Sequence, residues 1–328
     1  MRRMVAVSFV PHAVFVACLW TLIAAGSFSG RTGQPLPRTP AGVVGSVLGI
    51  SVCAAVLGLL LHPFQVRAVR LLEGYWDRWT PTARLSEVLV EFQRRRRERL
   101  DRLPAIGDGD GDGDGDGDGD GEENAANRTL PEQVRGLKRN ADQARVHALA
   151  ARRLAALPPG DVLLPTALGN ALRAGELSAG ERYGLTTLSS WPRIYPQMSK
   201  PLSEALGSAR TMLDASVNLC HSFAGCVLLL AFALHDEPRT WWAPLLCSAG
   251  AVLAYKGAVT AAQTYAGLMW VVYDLHRFDL VTALHLPLPD RDSEWEVFQS
   301  ISAGMAGQDV GLPYDHGRSD PDETDGAA

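Results

Sequence analysis

Apolar residues crowd into two zones of the chain, near residues 4–62 and 213–272, with the charged residues between and after them. Met4 to Ala25 and Gly42 to Leu61 contain no charged side chain, Leu213 to Leu234 holds only Asp214, and Trp241 to Val272 holds only Lys256. A helix needs about 20 apolar residues to cross a hydrocarbon core about 30 Å thick, because each residue rises about 1.5 Å. Each of the four stretches meets that length. The pattern predicts an all-α membrane protein whose transmembrane helices, about four, form two hairpins (2 + 2) with a helical cytoplasmic domain between them. The first stretch has two readings. Arg2 and Arg3 precede it and Ala24-Ala25-Gly26 suits a signal peptidase. Its apolar region exceeds the roughly 7–15 residues of a leader and a second span follows at once, so it reads as a retained anchor.

Helical patterning continues outside these stretches. Phe64 to Trp79 mixes apolar and basic residues behind the second span, and the Thr80-Pro81 step is the expected break. Arg84 to Leu103 reads as an amphipathic helix with Leu85, Val88, Leu89 and Phe92 on one face. Arg94–Arg97 and Arg99 follow, either resting on anionic lipid headgroups or forming a solvated helix end. Gly107 to Gly121 alternates Gly and Asp. Asp112, Asp114, Asp116, Gly117 and Glu123 formally satisfy a calcium-loop pattern, but any such alternation followed by Glu passes it, and an extended linker is the default. Leu130 to Leu157 resumes helix. Pro192 and Pro196 argue against a continuous helix through Trp191-Pro-Arg-Ile-Tyr-Pro196 and for a fixed, partly buried loop. Ser203 to Leu213 is helical and runs into the third span, and the fourth continues through Tyr273 to Asp279 until Pro287 and Pro289. A short helix over Ser293 to Ser302 precedes an acidic tail too poor in apolar residues to fold.

The organisation is thus a first hairpin over 1–63, basic helices over 64–106, a Gly-Asp linker over 107–127 and a helical domain over 128–212. A second hairpin with a helical extension follows over 213–289, then the short helix and tail over 290–328.

Charge adds orientation. Of the 31 Lys and Arg, 22 lie between Arg67 and Arg210, while the loops Ser27–Ala41 and His235–Thr240 hold only Arg31, Arg38 and Arg239. Basic residues mark the cytoplasmic side, which places the middle of the chain and both termini there. All five cysteines fall inside predicted spans, where Cys acts as a small apolar residue, so neither disulfide nor zinc is indicated. No G-x-S-x-G, H-E-x-x-H, P-loop or dinucleotide fingerprint occurs, and the eight histidines form no ligand spacing. Neither enzyme activity, a cofactor nor nucleic-acid binding is supported. Membrane lipids are the first partners to expect.

Small residues recur every fourth position in two spans: Ala41, Gly45, Gly49 and Cys53 in the second, and Gly250, Ala254, Ala258, Ala262 and Ala266 in the fourth. Ser216, Cys220 and Ala224 give the third a weaker stripe. That spacing lets a neighbouring backbone approach, within one subunit or in self-association. Polar residues in spans are costly and are candidates for function: His12, Asp214, Asn218, His221 and Lys256. Each also has a modest explanation. Asp214 suits a helix start, and Lys256 can snorkel to the interface.

Leu71-Leu-Glu-Gly-Tyr-Trp76, Arg182-Tyr-Gly184, Trp191-Pro-Arg-Ile-Tyr-Pro196, Asp274-Leu-His-Arg-Phe-Asp-Leu280 and Leu286-Pro-Leu-Pro289 together resemble a family of actinobacterial integral membrane proteins. The resemblance covers nearly the whole chain apart from the linker and the ends. It implies the four-span topology and a bacterial plasma (inner) membrane, and it brings no activity. Two functional readings stand. One is a membrane-anchored scaffold whose Trp191, Arg193 and Tyr195 loop binds a cytoplasmic protein partner. The other is an oligomeric channel or transport component with a polar interior from the third and fourth spans. The 2 + 2 order also resembles flagellar-type motor stators, by topology alone.

Overall fold

The structure is a computed structural model that describes residues 2–27, 39–76, 80–108, 130–236 and 240–314. The Gly-Asp segment, most of the loop between the first two spans and the acidic tail lie outside the described residues. Every α element among those described is in the order α1 (Arg2–Ala25), α2 (Pro40–Leu61), α3 (Gln65–Glu73), α4 (Thr80–Asp108), α5 (Leu130–Ala155), α6 (Ala167–Ala179), α7 (Thr187–Ile194), α8 (Lys200–Ala233), α9 (Trp242–Ala283) and α10 (Glu294–Met305). No strand occurs among the described residues. The chain forms two compact units, Met1–Glu73 with Gly175–Ala328, and Gly74–Ala174.

Among the described residues of the first unit, three stretches are long and apolar enough to cross a membrane: Pro40–Glu73, α8 and α9. The apolar part of α1, Phe9–Ala25, is shorter; its 17 residues span about 26 Å. The second span opens behind Thr39, whose hydroxyl accepts from the Gly42 N–H at 3.2 Å, with Pro40 first in the helix. It runs through a 3-10 turn at His62–Phe64 into α3. The expected break at Thr80-Pro81 instead falls at Gly74, whose φ of +97° only glycine adopts readily, and Pro81 sits inside the first turn of α4.

α9 lies along α8 over the longest interface, α1 packs on both α8 and α2, and α3 packs on α8. The buried positions of α8 recur at steps of three and four: Leu206, Ala209, Leu213, Val217 and Cys220. α9 answers with Ala254, Ala258 and Ala262, all buried, and a Cβ at Gly250 would lie 3.0 Å from the Phe223 ring. The fourth-span stripe is therefore a packing face within the chain.

The stripe of the second span is different. Ala41, Gly45 and Cys53 are exposed, nothing lies within 4 Å of a Cβ at Gly45, and only Gly49 meets a neighbour, Trp20. The buried small residues of α2 are Ala54 and Gly58, one residue out of phase with that stripe. α1 approaches α8 where Gly225 faces Phe15, with room for no Cβ at 2.8 Å. Cys18, Cys226 and Cys247 come near one another there from three helices, and all three are free.

Two proline readings need correction. The segment at Trp191 is a short helix, α7, followed by a 3-10 turn at Tyr195–Gln197. Pro192 removes one backbone donor late in a two-turn helix, whose next N–H, from Tyr195, still reaches Trp191 O. α9 stops at Ala283, before Pro287, where His285 takes a φ of +54°.

In the second unit, α4 packs on α5, and Arg97 donates to the carbonyls of Leu157 and Pro158 just past the end of α5. Leu85, Val88 and Phe92 are exposed, while Gln93 and Leu100 are buried. Asn170 is fully buried and closes the unit's last turn: Oδ1 accepts from Leu164 N at 2.7 Å and Nδ2 donates to Leu164 O at 2.9 Å.

Candidate functional site

The C-terminal part of α9 carries a helical cap made by α7, α10 and the 3-10 turns beside them. Its core gathers Leu185, Ile194, Met198, Leu280, Phe298 and Ile301 around Tyr273, which is completely buried. Burying a phenol requires partners for its hydroxyl. The Tyr273 Oη lies 2.8 Å from Ser190 Oγ and 3.1 Å from Thr187 O, and Ser190 in turn donates to Thr186 O. Thr187 Oγ1 accepts from Gly180 N and donates to Glu176 O. Ser302 receives the Thr186 N–H, tying α10 to α7.

Segments far apart in sequence meet on the rim of this cap. Arg182 and Tyr183 both hydrogen-bond the Asp274 carboxylate. Arg277 donates to Glu294 Oε1 at 2.9 Å and to Asp274 O at 2.6 Å, and its guanidinium lies 4.4 Å from the centres of the Tyr183 and Phe278 rings. Desolvation, then the hydrogen bond to Asp274, holds the Tyr183 phenol above its ordinary range. The Arg182-Tyr-Gly184 and Asp274–Leu280 segments thus serve one another.

Of the candidate interaction residues, Trp191 is half-buried and Arg193 and Tyr195 are exposed. The Trp191 ring stacks on Tyr273, and Tyr195 lies beside it with centroids 6.1 Å apart. Arg193 only spans its own helix, donating to Ser189 O, so its remaining donors face outward. Leu188, 75% exposed, lies one turn before Trp191. Leu188, Trp191 and Tyr195 thus share one flank of α7, with Arg193 on the opposite flank. Sequence patterning had no means of singling out Tyr273, Ser190 or Thr187, since each is an ordinary residue type made special by burial.

The polar residues of the spans divide. Asp214 lies mid-helix in α8, not at its start, and pairs with Arg210 at 3.3 Å. Asn218 Nδ2 donates to Gln65 Oε1 at 3.1 Å, and Gln65 Nε2 to Asp214 O at 3.4 Å. His221 and Asn218 line a cavity with His12, Leu57 and Phe64. Lys256 is exposed on α9 and is not among the lining residues. The polar groups therefore collect among α1, α2, α3 and α8, whereas the α8–α9 seam is filled by alanines and apolar residues.

No protein-family model, curated protein or solved structure matches this chain.

Proposed function

We propose that the protein is a four-span, membrane-anchored scaffold with both termini in the cytoplasm of a bacterial cell, and that its cap binds a protein partner through Leu188, Arg193 and Tyr195. One observation carries this reading: Trp191 stacks on the buried Tyr273, so the exposed residues of α7 are held from beneath. A preformed surface loses little conformational freedom on binding, and Arg and Tyr are the residue types that dominate interface energies. The tight, apolar α8–α9 seam speaks against a water-filled path between those helices. Within the same reading, α4 rests Leu85, Val88 and Phe92 on the lipid surface, with Arg96 and Arg99 toward anionic headgroups, each charge contributing about 1 kcal/mol. A second copy packs on the exposed small residues of α2.

A photo-crosslinking amino acid at Tyr195 tests the partner surface in cells. The scaffold reading expects one discrete protein adduct that Arg193→Ala abolishes without lowering the amount of folded protein. No adduct from position 195 or 188, together with ion conductance of the purified protein in planar bilayers, would replace it with the channel reading.

A further inference from the structure

The cavity among α1, α2, α3 and α8 has a volume of about 310 Å³. Phe15, Leu57, Phe64 and Ala68 are among its apolar lining residues, and Asn218 and His221 among its polar ones. That size falls at the lower end of small-molecule sites, about 300–1,000 Å³, and the mix of an apolar wall with a few polar groups is their usual character.

The hydrogen bonds define what would complete it. His221 Nδ1 lies 2.9 Å from Val217 O. A carbonyl only accepts, so Nδ1 carries the proton, and Nε2 of the neutral ring presents a lone pair. Nε2 is buried and has no partner. Among the described residues no donor reaches it; Asn218 Nδ2 bonds Gln65, and Gln65 Nε2 the Asp214 carbonyl. An unmatched buried acceptor is destabilising. A single water would answer His221 and leave the apolar wall unfilled.

We propose that this cavity binds a lipophilic molecule bearing a hydroxyl group, which donates its hydrogen bond to His221 Nε2 while its hydrocarbon body packs against Phe15, Leu57 and Phe64. Leu61 and Phe64 are 44% and 50% exposed, so a longer tail leaves between them toward lipid. A cation is excluded as the donor, since the lining residues include no carboxylate to pair with it. The hydroxyl belongs to a long-chain or prenyl alcohol, or to a prenylated hydroquinone.

The test uses the full chain in lipid nanodiscs with three photoreactive probes: a diazirine-bearing farnesyl alcohol, its methyl ether, and a diazirine-bearing prenyl hydroquinone. The alcohol or the hydroquinone should label peptides containing Phe15, Leu57 or Phe64, and whichever labels more strongly identifies the source. The methyl ether, matched in shape but without the donor, should label about tenfold less, the factor expected for one such bond. His221→Phe should reduce alcohol labelling to the level of the ether. Ala68→Trp, which fills the cavity and leaves His221 intact, should abolish labelling. Equal labelling by alcohol and ether on the wild-type chain overturns the proposal. So does labelling that ignores both variants, or adducts that map elsewhere.

Discussion

Trp191 and Tyr273 lie ring against ring, centroids 6.3 Å apart and planes inclined by 27°, joining α7 to the long helix α9. Tyr273 gives its hydroxyl to α7 as well, through Ser190 and the Thr187 carbonyl. One side chain thus supplies both the apolar and the polar attachment of the cap.

Tyr273→Phe keeps the stack and removes the hydroxyl. Ser190 retains Thr186 O, so the loss should be near that of one net hydrogen bond, about 1 kcal/mol. Tyr273→Ala empties a fully buried site and should cost about 3–5 kcal/mol. Chemical unfolding in detergent, followed by circular dichroism, separates the two. Equal effects would place Tyr273 outside the core.

Gly180→Ala should destabilise the cap by about 1–3 kcal/mol. An added Cβ would lie 2.7 Å from Leu185 O, 2.8 Å from the Tyr273 ring and 2.9 Å from Thr187 Oγ1. A backbone oxygen cannot swing aside as a flexible side chain can. The same unfolding measurement checks it, and a neutral result would mean that the Gly180–Thr187 turn is looser than described.

Arg277 combines an ion pair with Glu294, a bond to the Asp274 carbonyl and contact with two aromatic faces. Arg277→Lys keeps the charge but not the planar fork, so it should rescue little of the effect of Arg277→Ala. Either change should free α10 from α9 and speed proteolysis in the Leu286–Ser293 connection. Protection equal to wild type in the lysine variant would show that charge alone holds α10.

Gly45→Leu should leave the protomer's stability within about 0.5 kcal/mol, because a Cβ there has nothing within 4 Å. If a second copy packs on that face of α2, the substitution should lower the dimer fraction in detergent-corrected light scattering. An unchanged mass would remove α2 as the association face.

Helical class was legible because long uncharged stretches admit few alternatives, and α9's packing face was legible because Ala254, Ala258 and Ala262 carry no competing signal. Which stripe of α2 packs within the chain was not legible, because in a helix dense with Gly and Ala several phases have period four, and only packing picks Ala54 and Gly58 over Gly45 and Cys53. The packed face of α4 was not legible either, since hydrophobicity marks what avoids water but not which surface covers it. Pro192 showed that one missing donor near the end of a short helix is tolerable. The candidate sites were half visible. Asn218 and His221 stood out as polar residues in a span, but Gln65, whose carbonyl holds Asn218, was indistinguishable from other polar residues at a helix end.

α9 carries a further implication through its length. Its 42 residues run without interruption for about 63 Å, roughly twice the bilayer's hydrocarbon thickness. An unbroken helix ties height to bearing: inserting one residue above Tyr273 would lift the cap by about 1.5 Å and swing it by about 100° around the helix axis. The compass directions in which Arg193 and Tyr195 face are therefore set by the same winding that turns Ala254, Ala258 and Ala262 toward α8.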